Sequence, residues 1–253
     1  MNALGSLRRA ASGLLHRHLP ALGRAYRRLA DRRWQSRPVH IDGVRVYATR
    51  LAKVGDLELR AALLREMQQA DVFVDVGANV GIYACLAANT GKPVLAIEPQ
   101  RQNLSVLSRN IALNNLDRIE VLPVGLSDRP GSATLYGLGD VASLDAEWNA
   151  TGASYEEVVN LSTLDLVLAE RFAGAQLLIK IDVEGFEFQV LRGAALTLAR
   201  VPRPIWLVEI FRNRPATQKP NDNFEATFSL FASGGYQTTQ IDESNFLFRT
   251  TAR

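Results

Sequence analysis

The sequence predicts an α/β fold: a mostly parallel, seven-stranded sheet flanked by helices and finished by a C-terminal antiparallel hairpin. Three observations carry this reading. From Val72 onward, short apolar runs alternate with segments of helical periodicity, the pattern of βαβ units whose strands are buried on both faces. One such run, Val74-Asp75-Val76, passes through a glycine-containing turn, Gly77 to Gly81, into a helical pattern. The last stretch, Tyr236 to Thr250, reads instead as two strands about a polar turn at Asp242 to Ser244.

A chain of 253 residues with 47% hydrophobic content suits one large α/β domain with a short extension. No apolar run approaches the roughly 20 residues of a membrane-spanning helix. The single cysteine, Cys85, excludes an internal disulfide and lies in an apolar helical pattern, where a thiol acts as a small hydrophobe. A reducing, cytoplasmic setting is the default expectation.

The net charge of +3 conceals an uneven distribution. Arg8, Arg9, Arg17, Arg24, Arg27, Arg28, Arg32, Arg33 and Arg37 face only Asp31 in the first forty residues, and the remainder is acidic. Residues 1–38 therefore read as a basic amphipathic extension, and residues 39–253 as the domain. Competing readings of the extension are a helix on an anionic membrane, a transit peptide, a nucleic-acid arm, or a helix packed on its own domain or frayed in solvent. Leu4, Leu7, Ala11 and Leu14 recur at helical spacing beside the arginines, which favours the first two over the arm. The apolar stretch at Leu14 and Leu15 is too short for a secretory signal.

Within the domain, residues 39–70 form a lead-in: a hairpin over Val39 to Tyr47 turning at Asp42-Gly43, then a helix over Leu57 to Gln69. The core, 71–253, has expected strands at Val72 to Val76, Val94 to Glu98, Ile119 to Val124, Leu177 to Asp182 and Ile205 to Ile210. Expected helices lie at Val80 to Asn89, Gln102 to Asn114 and Phe188 to Leu198. An insertion at about 125–176 exceeds ordinary αβ connections and is expected to cover part of the active site.

The glycine turn carries the first chemistry. At the carboxyl edge of the first core strand, glycines let backbone approach a ligand, and the following helix offers free N–H groups and positive dipole. A dinucleotide fingerprint requires glycines at positions 79 and 82, where this chain has Asn79 and Ile82; Gly81 breaks that spacing and argues against NAD. Asp75, Gly77, Ala78, Asn79 and Gly81 are the candidate cofactor-binding residues, with Asp75 placed to bind the ligand or order the turn. Glu98, followed by Pro99, ends the second strand about twenty residues on, where a ribose diol is its expected partner.

A second chemical segment is Ile179-Lys180-Ile181-Asp182-Val183-Glu184-Gly185. With strand period two, Lys180 and Asp182 share a face, and such charges in a central strand are costly unless paired or functional. Glu209 stands alone after the apolar run Ile205 to Val208.

FVDVGANVGIY, AIEPQRQNLSVLSRNIALNN, STLD, IKIDVEGFEFQVLRGA and LVEI, in this order, resemble the FkbM family of methyltransferases over roughly residues 71–250. The resemblance implies a class I methyltransferase, a Rossmann-like fold. It also implies S-adenosylmethionine as methyl donor and O-methylation of a sugar, glycolipid or secondary-metabolite hydroxyl. The histidines, His16, His18 and His40, all precede the core, so a carboxylate, Lys180 or a metal-assisted hydroxyl must manage the proton. Asp182, Glu184, Glu209 and Lys180 are the candidate catalytic residues, and the three carboxylates are the candidate Mg2+ ligands. Rival readings are a nucleic-acid methyltransferase, disfavoured because Asp182-Val183-Glu184-Gly185 lacks a proline-aromatic base-stacking stretch, and a non-catalytic cofactor-binding scaffold at a membrane surface.

Overall fold

The computed structural model describes residues 37–48, 57–148, 155–215 and 217–250. The arginine-rich segment up to residue 36, and with it the amphipathic-helix reading, lies outside the described residues. No helix among the described residues is long and apolar enough to cross a membrane.

The lead-in comprises β1 (Val39–Ile41), β2 (Val44–Val46) and α1 (Leu57–Glu66). The Asp42-Gly43 turn takes positive φ at both residues, 44° and 94°, as a tight hairpin requires. Then follow β3 (Val72–Val76), α2 (Ile82–Ala88), β4 (Val94–Ile97), α3 (Arg101–Leu113) and β5 (Ile119–Leu122). The insertion contributes β6 (Gly125–Leu126), β7 (Gly131–Tyr136) and β8 (Glu156–Ser162), which form a separate three-stranded sheet in the order β6-β8-β7. The chain returns through α4 (Leu164–Leu168) to β9 (Leu177–Ile181), α5 (Glu187–Arg192), α6 (Ala195–Leu198) and β10 (Ile205–Glu209). It finishes with α7 (Phe224–Ser233), β11 (Tyr236–Gln240) and β12 (Asn245–Thr250).

The main sheet has seven strands in the order β11-β12-β10-β9-β3-β4-β5. Strands β5, β4, β3, β9 and β10 are parallel, and β12 is antiparallel to both β10 and β11. The mostly parallel sheet with its reversed C-terminal strand is thus as the sequence predicts. Strand order reverses between β3 and β9, so the switch-point crevice opens at the carboxyl ends of those two strands. Apolar side chains fill both faces: Leu63, Met67, Leu86 and Leu107 on one, Leu164, Leu191, Trp206 and Phe231 on the other.

Differences from the expected elements have local causes. β5 stops at Leu122 because Pro123 has no N–H for the ladder. The helix expected from Val80 begins at Ile82, since Gly81 is left-handed at its N-cap. The expected helix Phe188 to Leu198 divides into α5 and α6 around Gly193, where an added Cβ would sit 2.2 Å from the Ser127 carbonyl oxygen. Helix α7, absent from the sequence reading, buries Phe224, Thr227 and Phe231 at helical spacing, and Phe231 stacks on Phe248 at 3.8 Å.

Candidate active site

The glycine turn binds two neighbouring strand ends. The amides of Gly77 and Ala78 both donate to the Ile97 carbonyl, at 2.9 and 3.0 Å, which fixes the turn to β4. Gly77 has φ +80°, and a Cβ there would lie 1.9 Å from the Asp182 carbonyl oxygen. Its close approach is therefore to the backbone after β9, a reason beyond the ligand approach expected from sequence. Asn79 adopts φ +51°, tolerable for asparagine, and its side-chain carbonyl oxygen is buried without a hydrogen-bond partner. Gly81, at φ +82°, lets α2 close on α3: a Cβ would meet Leu107 Cδ1 at 2.2 Å.

Glu98 is 4% exposed and accepts from the Asn79 amide at 2.8 Å, the Gln100 amide at 2.9 Å and Asn103 Nδ2 at 3.2 Å. Burial pushes its carboxyl up to about 7, against the lowering effect of those three donors. The sequence reading passed over Gln100, whose side chain donates to the Gly137 carbonyl at 2.9 Å and accepts from the Gly139 amide at 2.8 Å. That two-way bond clamps the insertion beside the start of α3. Its sequence signal is a polar residue that a helix N-cap leaves buried.

Lys180 and Asp182 do share a face. Lys180 Nζ donates to Asp182 Oδ2 at 2.8 Å and lies 4.6 Å from the Tyr83 ring centroid. Burial works to lower the ammonium, but Asp182 and Asp75 outweigh it and push it up to about 12. This favours the charged form of Lys180 over a basic amine. Asp75 sits beside it across the β3–β9 ladder, wholly buried. Burial pushes Asp75 up to about 6, opposed chiefly by the Lys180 charge.

Asp182, Glu184 and Glu209 converge, each offering an oxygen within 4.8 Å of the others. Burial works to raise Asp182, yet the Lys180 ammonium and its hydrogen bond, with a hydrogen bond from Glu209, hold it below the usual carboxylate range. Glu209 moves well upward through burial, then the charges of Asp182 and Glu184 and the hydrogen bond to Asp182. The two carboxyls are thus driven in opposite directions, Asp182 toward its ionised form and Glu209 toward its neutral one. Glu187, also missed from sequence, accepts from the Val183 and Gly185 amides at 3.1 and 3.0 Å and shapes the turn carrying Glu184.

These groups line one cleft of about 510 Å3. Gly77, Ala78, Asn79, Glu98 and Pro99 form one end of its wall, and Lys180, Asp182, Glu184 and Glu209 the other. Leu135, Val141 and Leu144 from the insertion complete it, so the insertion does cover the site. Asp75 and Gly81 are not on the wall: Asp75 lies behind Lys180, and Gly81 packs against Leu107. His40, exposed on β1, is likewise not on it.

A family model described as the methyltransferase FkbM domain matches residues 75–238. The hexuronic acid methyltransferase AglP of Haloferax volcanii is 28% identical over 160 residues, 58% of this chain and 59% of that protein. The methyltransferase sdnD of Sordaria araneosa is 35% identical over 118 residues, 44% of this chain and 43% of that protein. The chain thus spans less than two thirds of either relative. A solved structure of a putative O-methyltransferase from Klebsiella pneumoniae superimposes with a TM-score of 0.50 at 14% identity, covering 96% of this chain and 97% of that one, a likeness of fold. The family match runs from the acid before the glycine turn to β11 and takes in every residue of the cleft wall: the chain belongs to the FkbM methyltransferase family, with the Rossmann-like class I fold.

Proposed function

We propose that this chain transfers the methyl group of S-adenosylmethionine to a hydroxyl of a sugar-type acceptor. One observation carries the O-methyl reading: three carboxylates meet at the carboxyl edge of β9 and β10, back to back with the glycine turn. The donor fits the other half of the cleft. The unpartnered Asn79 side-chain oxygen offers an acceptor to an ammonium or hydroxyl, Glu98 on the cleft wall would pair with a ribose diol, and the start of α2 offers positive dipole. When bound, S-adenosylmethionine supplies an electrophilic methyl on sulfur.

The residues then manage orientation and one proton. Ionised Asp182 takes the proton of the acceptor hydroxyl as the new O–C bond forms and the S–C bond breaks, leaving S-adenosylhomocysteine as co-product. Glu209, pushed upward by burial and by its acidic neighbours, would share the proton with Asp182, while Glu184 would orient a neighbouring hydroxyl. The same three oxygens suit the ligand preference of Mg2+, which when bound would lower the hydroxyl pKa and hold Glu209 ionised.

A sugar acceptor is supported by the relative named for hexuronic acid methylation. The arginine-rich segment would then hold a cytoplasmic enzyme peripherally on an anionic membrane face, near a glycolipid acceptor. The test is isotopic methyl transfer from labelled S-adenosylmethionine into the glycan and glycolipid fractions of a cell extract. Label in an alkali-stable ether supports the reading; label only in nucleic acid overturns it. A chelator then decides the metal version: activity lost and restored by Mg2+ supports coordination.

A further inference from the structure

The insertion reaches the acidic cluster through two hydrogen bonds onto one residue. Ser143 Oγ donates to the Glu184 carbonyl at 2.6 Å, and Trp148 Nε1–H donates to Glu184 Oε2 at 3.1 Å. Glu184 has φ +52°, a left-handed conformation that persists in a glutamate only where its surroundings enforce it. The next residue, Gly185, has φ +96°, and a Cβ there would lie 2.4 Å from two Trp148 ring atoms. The indole therefore occupies the space that glycine leaves, and no other residue at 185 admits it.

Trp148 is 1% exposed, so its ring is not a surface on which an acceptor stacks. Its far side meets Phe211 edge-on at 6.3 Å, and the Arg214 guanidinium lies 6.0 Å from the ring while pairing with Asp145 at 2.7 Å. The turn after β9 and the segment after β10 are thus both seated on one side chain from the insertion.

We infer that Trp148 is a positioning residue, which with Ser143 holds the strained Glu184 so that its carboxylate meets Asp182 and Glu209, and so acts on the acceptor only through Glu184. This rests on the carboxylate reading of the acceptor site, and the test separates the two. The chain has three tryptophans, so the 15N-labelled full chain gives three indole N–H resonances, and Trp148→Phe identifies the relevant one. Glu184→Gln should shift the Trp148 resonance, because the indole N–H then faces an amide in place of a carboxylate, and Asp182→Asn should shift it far less. A resonance unaltered by Glu184→Gln overturns the proposal without any acceptor being needed.

In the methyl-transfer assay, Trp148→Phe should lower single-turnover rate by about tenfold with donor affinity unchanged, and should add nothing in the Glu184→Gln background. Ser143→Ala, a smaller change, should act in the same direction. Additive losses mean that Trp148 does not work through Glu184 and overturn the proposal. Full activity in Glu184→Gln removes the carboxylate reading beneath it, whatever Trp148→Phe does.

Discussion

Two carboxylates in contact raise one another, and a neighbouring cation favours charge on the one it bonds. Lys180 bonds Asp182 and holds it low, while burial and the neighbouring acids push Glu209 up. Asp182→Asn keeps the shape and removes the ionised acceptor, so single-turnover methyl transfer should fall by about two orders of magnitude while calorimetry finds donor affinity nearly intact. Glu209→Gln, which mimics the protonated form, should cost far less rate; a loss as large as that of Asp182→Asn would mean Glu209 works ionised, as a cation would require. At this scale the sequence was legible where strand periodicity governs, as for Lys180 and Asp182. It was not legible for Asp75, whose position behind Lys180 depends on which strands become neighbours. Gly77 was legible as a necessary glycine, but half its reason, the Asp182 carbonyl, lies 105 residues away.

Asn110 on α3 and Asn114 at its C-cap show how one element recruits another. Asn110 donates to the carbonyls of Val80 and Tyr47 and accepts from the Tyr47 amide, and Asn114 exchanges two hydrogen bonds with the backbone of Arg45. Each side chain thus acts as a strand partner for the lead-in segment. Asn110→Ala leaves buried backbone groups unpaired and should destabilise the fold by about 1–3 kcal/mol in denaturant titration, with faster exchange of the Tyr47 amide. Gly193→Ala should destabilise by a similar roughly 1–3 kcal/mol, because the new methyl meets the Ser127 carbonyl although glycine-to-alanine ordinarily favours a helix. Such a break is hidden from a sequence reading, since nothing local distinguishes Gly193 from a tolerated helical glycine. The missed α7 has the opposite cause: Phe224, Phe228 and Phe231 do recur at helical spacing, but the preceding polar stretch with Pro215 and Pro220 reads as continuous loop.

Across the whole molecule, several acids among the described residues are buried with their carboxyls pushed upward. Burial is the first cause in each: Asp75 rises from 3.8 to about 6, and Glu98 and Glu187 rise from 4.5 to about 7. The folded chain therefore binds more protons than the unfolded chain between about pH 4 and 7, so this contribution to stability is complete below that window and lost as pH rises through it. Asp182, lowered, works the other way only at more acid pH. The melting temperature should be higher near pH 5.5 than near pH 8 by calorimetry; a flat or rising profile would show these acids ionised in the fold. The packing of Gly77 on the Asp182 carbonyl has a consequence of its own. It makes the donor turn and the carboxylate turn two sides of a single joint, so a shift in either displaces the other. Occupancy of the two half-sites is then thermodynamically reciprocal: whatever factor S-adenosylhomocysteine imposes on acceptor affinity, acceptor must impose on S-adenosylhomocysteine. Paired calorimetric titrations measure that factor, and a value of one would mean that the joint transmits nothing.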